Sequence, residues 1–449
     1  MLTNARLDES DLLAAALRSA RDTRLLTLER AARHRTAEAF AALFSGATAL
    51  VIADENTFAV AGRDVVDSLR SAGQPQLEPL VLPAAGLYAE YSFVDQIRDH
   101  LKTVDAIPIA VGAGSINDLV KLAAHQCDRP YLAVATAASM DGYTAYGASI
   151  TYRGSKQTFD CPAPKGVIAD LDVMAAAPPV MNASGYADLI AKIPAGSDWI
   201  LADALGEEPI SQFPWDAVQA HLRDWMQNPA GVRTGDFETI RRLSIALMMS
   251  GFAMQSALTS RPASGAEHQF SHLWDMEGHK HNGQSPSHGF KVGIGSLASI
   301  ALYEALARQP IETLDVDAAV KRWPDAMAND AEIAELFAHD EMKQKAYEES
   351  RVKLVSREVV RAQLEWLKAD WPEISRRLTA QLIPHAEFRD LLKDAGAPYV
   401  SESIGIDRDR LRRSYRQAYH IRRRFTILDV ARRAGLMEAA LDDVFSTSN

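Results

Sequence analysis

The stretch DAIPIAVGAGSINDLVKLAAH, residues 105–125, combines a strand, a glycine-rich turn and a helix. DAIPIAV has the continuous apolar character of a buried strand, and the residues after the turn repeat with helical spacing. Gly112 and Gly114 permit a tight turn, so the backbone amides that open the helix form a natural seat for a phosphate group. Glycines also occur in such turns for steric reasons alone, so this motif by itself leaves phosphate binding open.

The same alternation of strand and helix continues on both sides of this stretch. Apolar segments at 49–53, 77–83 and 131–136 predict strands, and residues 59–71 and 92–103 predict helices. Such alternation is typical of a parallel sheet with helices on both faces. Nearer the N-terminus, residues 8–45 are rich in alanine and leucine and predict one long helix.

A change of pattern at Pro178 and Pro179 predicts a domain boundary. We expect residues 1–180 to form a Rossmann-like domain that includes the helix at 8–45. From residue 181 to residue 449 the pattern is almost wholly helical, which predicts a second, helical domain. Within it, residues 236–260 and 293–308 predict long core helices.

Composition excludes several classes of protein. The chain has 48 basic and 59 acidic residues, a net charge of −11, which disfavours a nucleic-acid partner. Eight arginines between Arg408 and Arg424 keep a regulatory or nucleic-acid-binding protein as an alternative, although such runs are more often solvated helix faces or subunit contacts. Two cysteines cannot build a disulfide framework, and no apolar run approaches about 18 residues, so we expect a cytoplasmic protein with no membrane partner.

A histidine-rich stretch, AEHQFSHLWDMEGHKHNGQSPSHGFK at 266–291, is the strongest chemical signal. His268 and His272 are four residues apart and share one face of a helix, and a Gly/Pro-rich turn brings His288 back toward them. Neutral imidazole is the commonest metal ligand in proteins. We therefore favour a metal site over an ordinary histidine-rich loop. This stretch contains five of the 12 histidines, namely His268, His272, His279, His281 and His288.

Asp188 is a second candidate, because it lies among the apolar residues Leu189, Ile190 and Ile193. A buried, unpaired carboxylate is costly, which favours a metal ion or another cation as its partner. An exposed acid stabilised by a helix dipole explains the same residue equally well.

Six motifs in order add a family resemblance. The motifs are VIADENT, VGAGSINDLVK, TAASMDGYTAYGAS, GYADLIAK, SGAEHQFSHLWDM and SPSHGFKVGIG. Together they resemble the sn-glycerol-1-phosphate dehydrogenases, particularly the bacterial branch linked to arabinose operons. The wider group contains iron-dependent alcohol dehydrogenases, glycerol dehydrogenase and dehydroquinate synthase. The resemblance implies a dehydroquinate synthase-like fold: an α/β Rossmann-like N-terminal domain, an all-α C-terminal domain and an active site in the cleft between them.

The resemblance also implies roles for individual residues. A divalent metal would be bound by Asp188, His268 and His288, while His272 would act as a substrate or proton-relay residue and Asp141 would contact substrate. NAD(P) would be held near its adenosine ribose by Asp54, with other contacts from Gly112, Gly114, Ser115, Asp118, Thr136 and Ser139. The family often has a hydroxyl residue shortly after DG, where this chain has Thr144 and Ala145.

The chemistry of these residues suits the metal-dependent oxidoreductase that the resemblance implies. A metal with an open coordination position stabilises an alkoxide, and an Asp/His/His set suits Zn, Ni or Fe. Asp54 favours NAD, with NADP as the alternative. The resemblance implies hydride transfer between NAD(P)H and dihydroxyacetone phosphate or sn-glycerol 1-phosphate, a small phosphorylated three-carbon substrate, and, together with the many apolar helices, a homodimer. Alternatives are a dehydrogenase of an unphosphorylated polyol and, with less support, a dehydroquinate synthase-like lyase.

Overall fold

A computed structural model describes residues 9–153 and 155–446. The chain forms two compact units, each of which is discontinuous in sequence. Unit one comprises residues up to Leu189, with Phe213–Ser260 and Asp394–Gly396, and unit two comprises Ile190–Gln212, Arg261–Lys393 and the remainder from Ala397.

Eight strands lie in unit one. Six form a parallel sheet in the order β1-β8-β5-β4-β2-β3, and β6 and β7 form an antiparallel pair. The strands are β1 Leu25–Glu29, β2 Ala49–Asp54, β3 Leu80–Leu82, β4 Ile107–Gly112, β5 Leu132–Ala135, β6 Ala148–Tyr152, β7 Ser155–Phe159 and β8 Gly166–Asp170.

Helices make up most of the remaining regular structure. Their bounds are α1 Glu9–Ser19, α2 Thr36–Leu43, α3 Glu55–Thr57, α4 Arg63–Ser71, α5 Tyr91–Thr103, α6 Gly114–His125, α7 Leu171–Ala175, α8 Pro179–Ile190, α9 Lys192–Ala204, α10 Gln212–Gln219, α11 Leu222–Trp225, α12 Pro229–Thr234, α13 Phe237–Ala257, α14 Ala266–Met276, α15 His288–Ala307, α16 Val316–Arg322, α17 Ala326–Leu336, α18 Asp340–Lys353, α19 Arg357–Gln381, α20 His385–Ala395, α21 Arg408–His420, α22 Ile427–Arg433 and α23 Met437–Ser446.

The parallel sheet forms because its inner strands are apolar throughout. Every residue of β2, β5 and β8 is buried, as expected for strands covered on both faces. Strand β2 pairs with β4, with Ala53 opposite Val111, although β3 comes between them in sequence. The connections after β2 and β4 therefore leave the sheet in opposite directions. This topological switch point is where open α/β sheets bind ligands.

The predicted strand–turn–helix order of unit one is confirmed, but the single helix predicted for residues 8–45 is wrong. Residue 8 lies outside the described residues; from there on, α1 is followed by the edge strand β1, a short 3-10 helix at Ala32–Arg35 and α2. Strand β1 pairs in parallel with β8 and extends the sheet. It lacks the continuous apolar run of the inner strands, and four of its residues are half-buried while Glu29 is exposed.

Unit two is helical, and its longest apolar helix is α15. This helix has the length and mean hydropathy of a membrane span, but 78% of its apolar window is buried inside the protein. A core helix of a globular domain has the same properties. The predicted core helices at 236–260 and 293–308 correspond to α13, in unit one, and α15, in unit two.

The arginine-rich run forms α21 and the segment after it. Several of its guanidinium groups pair with carboxylates of the same unit: Arg410 with Glu277 at 2.6 Å and Arg412 with Asp442 at 2.6 Å. Arg423 pairs with Glu349 at 3.0 Å. These ion pairs give three of the eight arginines a carboxylate partner within unit two.

Candidate active site

A cleft of about 720 Å³ opens in unit one at the switch point of the sheet. We call it the cofactor cleft. Residues that follow β2 and β4 line it, with Thr136 just beyond the end of β5. Three of the residues predicted to bind NAD(P), Asp54, Ser115 and Thr136, therefore lie around one cavity.

Asp54 ends β2 and begins the short helix α3. Its Oδ1 accepts hydrogen bonds from the backbone N–H groups of Asn56 and Thr57, at 2.8 and 3.0 Å. Its Oδ2 accepts one from the Thr57 hydroxyl at 2.9 Å. The carboxylate is thus held by a helix cap at the rim of the cleft. A carboxylate oxygen can accept further bonds, so this arrangement is compatible with a ribose hydroxyl.

The turn between β4 and α6 presents the start of a helix to the cofactor cleft. Ala113, Ser115 and Ile116 line the cleft, and no side chain caps the helix. The first amides of α6 are thus the kind of donors that bind phosphate groups. Gly112 has an internal role as well, because a Cβ there would lie 2.5 Å from the Cβ of Ile116.

A buried lysine of the same helix holds the loop that contains Asp141. Lys121 is 1% exposed, and its Nζ donates to the carbonyl oxygens of Gly142, Ala145 and Gly147 at 2.8, 3.0 and 3.0 Å. Asp118, predicted to contact NAD(P), accepts a hydrogen bond from the Ser149 N–H at 3.1 Å. Burial raises the pKa of Asp118.

Asp141 and Asp188 lie next to each other in unit one. The backbone N–H of Asp141 donates to Oδ2 of Asp188 at 3.3 Å, and the Ser250 hydroxyl donates to Oδ2 of Asp141 at 2.8 Å. Asp188 is fully buried in the last turn of α8. It is therefore not the exposed helix-N-terminal acid that the sequence left open.

Close packing of α8 against residue 138 brings Asp188 to Asp141. A Cβ on Gly185 would lie 1.9 Å from the Ala138 carbonyl oxygen, so only glycine fits there. Asn182, one turn earlier, accepts a hydrogen bond from the Ala138 N–H at 3.1 Å. Sequence reasoning assigned no role to Gly185 or Asn182.

Unit two brings three of the predicted histidines together. The ring centroids of His268 and His288 are 5.2 Å apart, and His272 lies 6.2 Å from His268 and 6.4 Å from His288. His268 and His272 share one face of α14, as the spacing predicts, and His288 is the first residue of α15. His279 lies elsewhere, with its Nε2 at 2.6 Å from the Ile404 carbonyl oxygen.

The opposite face of α14 anchors this cluster. Trp274 is fully buried and donates from Nε1 to the hydroxyl of Ser414 in α21, at 3.0 Å. Phe270 packs edge-on against Tyr415 with a centroid distance of 4.9 Å. Positions 270 and 274 lie two residues from 268 and 272, which places them on the other side of the helix.

Helix α15 lies against α14 because it has a glycine at the crossing point. A Cβ on Gly295 would lie 2.4 Å from the backbone oxygen of Glu267. Lys291 of α15 also forms an ion pair with Asp275 of α14, which links the two helices.

Two buried carboxylates support the start of α14. Oδ2 of Asp198 accepts from the Ala266 N–H at 2.6 Å, and Oδ1 accepts from the Tyr303 hydroxyl and the Ile427 N–H, both at 2.7 Å. Burial, and then the nearby Glu267 carboxylate, raise the pKa of Asp198 to about 7. Oε1 of Glu267 lies 2.8 Å from Nδ1 of His268.

Comparison with known proteins identifies the class first. Residues 28–178 match the family described as iron-containing alcohol dehydrogenase. Glycerol dehydrogenase from Schizosaccharomyces pombe has the same fold, with a TM-score of 0.59 at 16% identity, covering 95% of this chain and 92% of that one. The matched segment is thus similar to iron-containing alcohol dehydrogenases, and the chain shares the fold of a glycerol dehydrogenase.

Closer relatives specify the family. The glycerol-1-phosphate dehydrogenase [NAD(P)+] of Geobacillus stearothermophilus is 31% identical over 382 residues, which cover 84% of this chain and 85% of the relative. That of Halalkalibacterium halodurans is 37% identical over 267 residues, 59% of this chain and 66% of the relative. The chain belongs to the glycerol-1-phosphate dehydrogenase family. The predicted resemblance, fold class and oxidoreductase activity are confirmed.

The individual site residues remain predictions. Gly114 lies in sequence between Ala113 and Ser115, which line the cofactor cleft. A Cβ added to Gly114 would lie 3.0 Å from the Met140 side chain. Ser139 is half-buried and is not among the residues that line the cleft. The Thr144 hydroxyl donates to the Met248 carbonyl oxygen at 2.7 Å, which gives this residue a packing role.

Proposed function

We propose that this protein interconverts sn-glycerol 1-phosphate and dihydroxyacetone phosphate with NAD(P) and one divalent metal ion. Asp188, His268 and His288 are the proposed ligands, the carboxylate from unit one and the two imidazoles from unit two. The observation that carries the proposal is the clustering of His268 and His288, whose ring centroids are 5.2 Å apart, in a chain of this family.

The proposed cytoplasmic location accords with two free thiols, Cys127 and Cys161.

The donor set suits the proposed ion. Two neutral imidazoles and one carboxylate form a borderline-hard set that accepts Zn, Ni or Fe, and three protein ligands leave a position open. Asp188 is fully buried and accepts a hydrogen bond from the Asp141 N–H, and a buried carboxylate is stable only with such partners or a cation. When bound, a divalent ion lowers the pKa of an alcohol and polarises a ketone.

The protein's own groups would bind the reactants and handle the proton. The α6 N-terminus would bind the cofactor phosphates and Asp54 its adenosine ribose, since both line the cofactor cleft. Half-buried His272, one turn from His268, would hold or release the proton of the substrate hydroxyl. Asp141, fixed by Ser250, would orient the substrate. The nicotinamide accepts or donates the hydride, and the protein contributes positioning.

The proposal is tested by NADH oxidation with dihydroxyacetone phosphate, before and after metal removal and with metal restored. We expect turnover that is lost with the metal and returns with it, and loss of metal binding in the His268→Ala and Asp188→Ala variants. Full activity after complete metal removal would contradict the mechanism. Glycerol turned over as well as glycerol 1-phosphate would instead favour the unphosphorylated polyol as substrate.

The assembly is a further part of the proposal. We infer a homodimer, and size-exclusion chromatography with light scattering at micromolar concentration tests it. A mass near 49.1 kDa, that of one chain, would refute the dimer.

A further inference from the structure

Glu267, the residue before the first proposed histidine ligand, is fully buried and directed at that histidine. Its Oε1 lies 2.8 Å from Nδ1 of His268, and the same oxygen accepts a hydrogen bond from the Gly265 N–H at 2.6 Å. Neighbouring side chains on a helix diverge, so helix geometry alone does not dictate this contact. The carboxylate folds back at the helix start, where it meets both groups.

The packing around Glu267 fixes this conformation. A Cβ on Gly265 would lie 2.9 Å from Oε2 of Glu267 and 2.3 Å from Oδ2 of Asp198, so the glycine makes room for both carboxylates. On the other side, Gly295 lets α15 contact the Glu267 backbone. The two glycines therefore leave the space in which the Glu267 carboxylate lies beside the His268 ring.

A carboxylate beside one ring nitrogen of a histidine determines whether the other ring nitrogen carries a proton. A carboxylate accepts the Nδ1 proton, so the neutral ring keeps Nε2 unprotonated and able to bind a metal. Such a partner also fixes the ring's orientation and raises its basicity as a ligand. The distance between His268 and Glu267 meets this requirement without any adjustment.

We propose that Glu267 is a positioning residue that selects the tautomer and orientation of His268 for metal binding. This inference rests on the proposed function, which makes His268 a ligand. A purely structural role, capping the start of α14 through the Gly265 N–H, predicts a different outcome. Loss of a cap lowers thermal stability and leaves the metal affinity unchanged.

The test measures metal affinity rather than turnover. Zn²⁺ affinity is determined by competition with a chelator of known affinity, for the full-length wild type and the Glu267→Ala, Glu267→Gln and His268→Ala variants. Glu312→Gln, an exposed site in the same unit with the same change of charge, serves as the matched control. Melting temperature is recorded for every variant without metal.

We expect His268→Ala to lose most of the affinity and Glu267→Ala to lose 10- to 100-fold. Glu267→Gln should fall between Glu267→Ala and wild type, because the amide oxygen still accepts the Nδ1 proton but carries no charge. Glu312→Gln should match wild type. Long-range ¹H–¹⁵N spectra of the metal-free protein should show His268 protonated at Nδ1 in wild type and redistributed toward Nε2 in Glu267→Ala.

Different results would refute the assignment of His268 as a metal ligand and the positioning role of Glu267. If His268→Ala binds Zn²⁺ as tightly as wild type, the ligand assignment of the proposed function is wrong and the role of Glu267 falls with it. If His268→Ala loses the metal while both Glu267 variants keep wild-type affinity, the metal site stands and the positioning role is refuted. A lower melting temperature with unchanged affinity would assign Glu267 to the helix cap alone.

Discussion

Replacing Gly295 with alanine tests whether the close contact of α14 and α15 positions the histidine cluster. The new Cβ would lie 2.4 Å from the Glu267 backbone oxygen, where a carbon–oxygen contact needs about 3.3 Å. The two helices must therefore separate by about 0.9 Å at this point. His288 begins α15 and His268 follows Glu267 in α14, so the separation acts directly on the two rings.

Two effects on stability oppose each other in this variant. Alanine is favoured over glycine inside a helix by about 1 kcal/mol, while overpacking a buried contact costs about 1–3 kcal/mol. The net change in the free energy of unfolding is thus a loss of about 0–2 kcal/mol. Metal sites tolerate ligand displacements of only about 0.2 Å, so the affinity for the ion should fall about tenfold or more.

Zn²⁺ competition and urea unfolding of the same samples separate these effects. Gly295→Ser should lose more affinity than Gly295→Ala, since its side chain is larger at the same contact. Ala307→Ser, at the exposed end of α15, should change neither quantity. If Gly295→Ala became more stable and kept wild-type metal affinity, the contact would not control the ring positions.

Three further variants test other parts of the chain. Lys121→Met leaves three carbonyl oxygens without their donor and should lower the free energy of unfolding by roughly 2–4 kcal/mol in urea titrations, whereas exposed Lys102→Met should not. Burial lowers the pKa of His420 from 6.5 to about 4, so between these two pH values the unfolded chain binds a proton that the folded chain does not. The free energy of unfolding of wild type should therefore fall by up to about 3 kcal/mol between pH 7 and 4, relative to that of His420→Gln. Parallel plots of unfolding free energy against pH for the two proteins would contradict this. Asp54→Asn keeps an acceptor for the helix cap but removes a negative charge from the cofactor cleft. Because that charge would repel the 2′-phosphate of NADP, the ratio of KM for NADP to KM for NAD should fall about tenfold in the variant. An unchanged ratio would place the adenosine ribose elsewhere.

Local signals explain why most of unit one could be predicted from sequence. Strands β2, β4 and β5 are continuous apolar runs, and α6 follows a glycine turn, so each is defined within about ten residues of sequence. Strand β1 was missed for the converse reason. It is short, half-buried and at the sheet edge, and its partner β8 lies about 140 residues further along the chain. Nothing local distinguishes it from the alanine- and leucine-rich helices on either side.

Local sequence spacing also made the histidine cluster predictable, but it did not predict the contact between Glu267 and His268. A spacing of four residues places His268 and His272 on one helix face whatever surrounds them. Glu267, by contrast, is typical of an acid in the first turn of a helix, where a carboxylate is favourable without any partner. Its contact with His268 depends on Gly265 and on the buried Asp198, which is 69 residues earlier in the chain than Glu267.

Two glycines show why the identity of the proposed ligands could be predicted from sequence but their positions in space could not. Gly185 fits against the Ala138 carbonyl oxygen, and Gly295 fits against that of Glu267. Each is required by a backbone distant in sequence, so helix propensity, which disfavours both, gives the wrong expectation. Ligand identity is thus carried by side-chain type and spacing, whereas ligand position is carried by small residues at helix contacts. We therefore expect bulkier residues at 185 or 295 to impair metal binding even though the sequence keeps every proposed ligand residue.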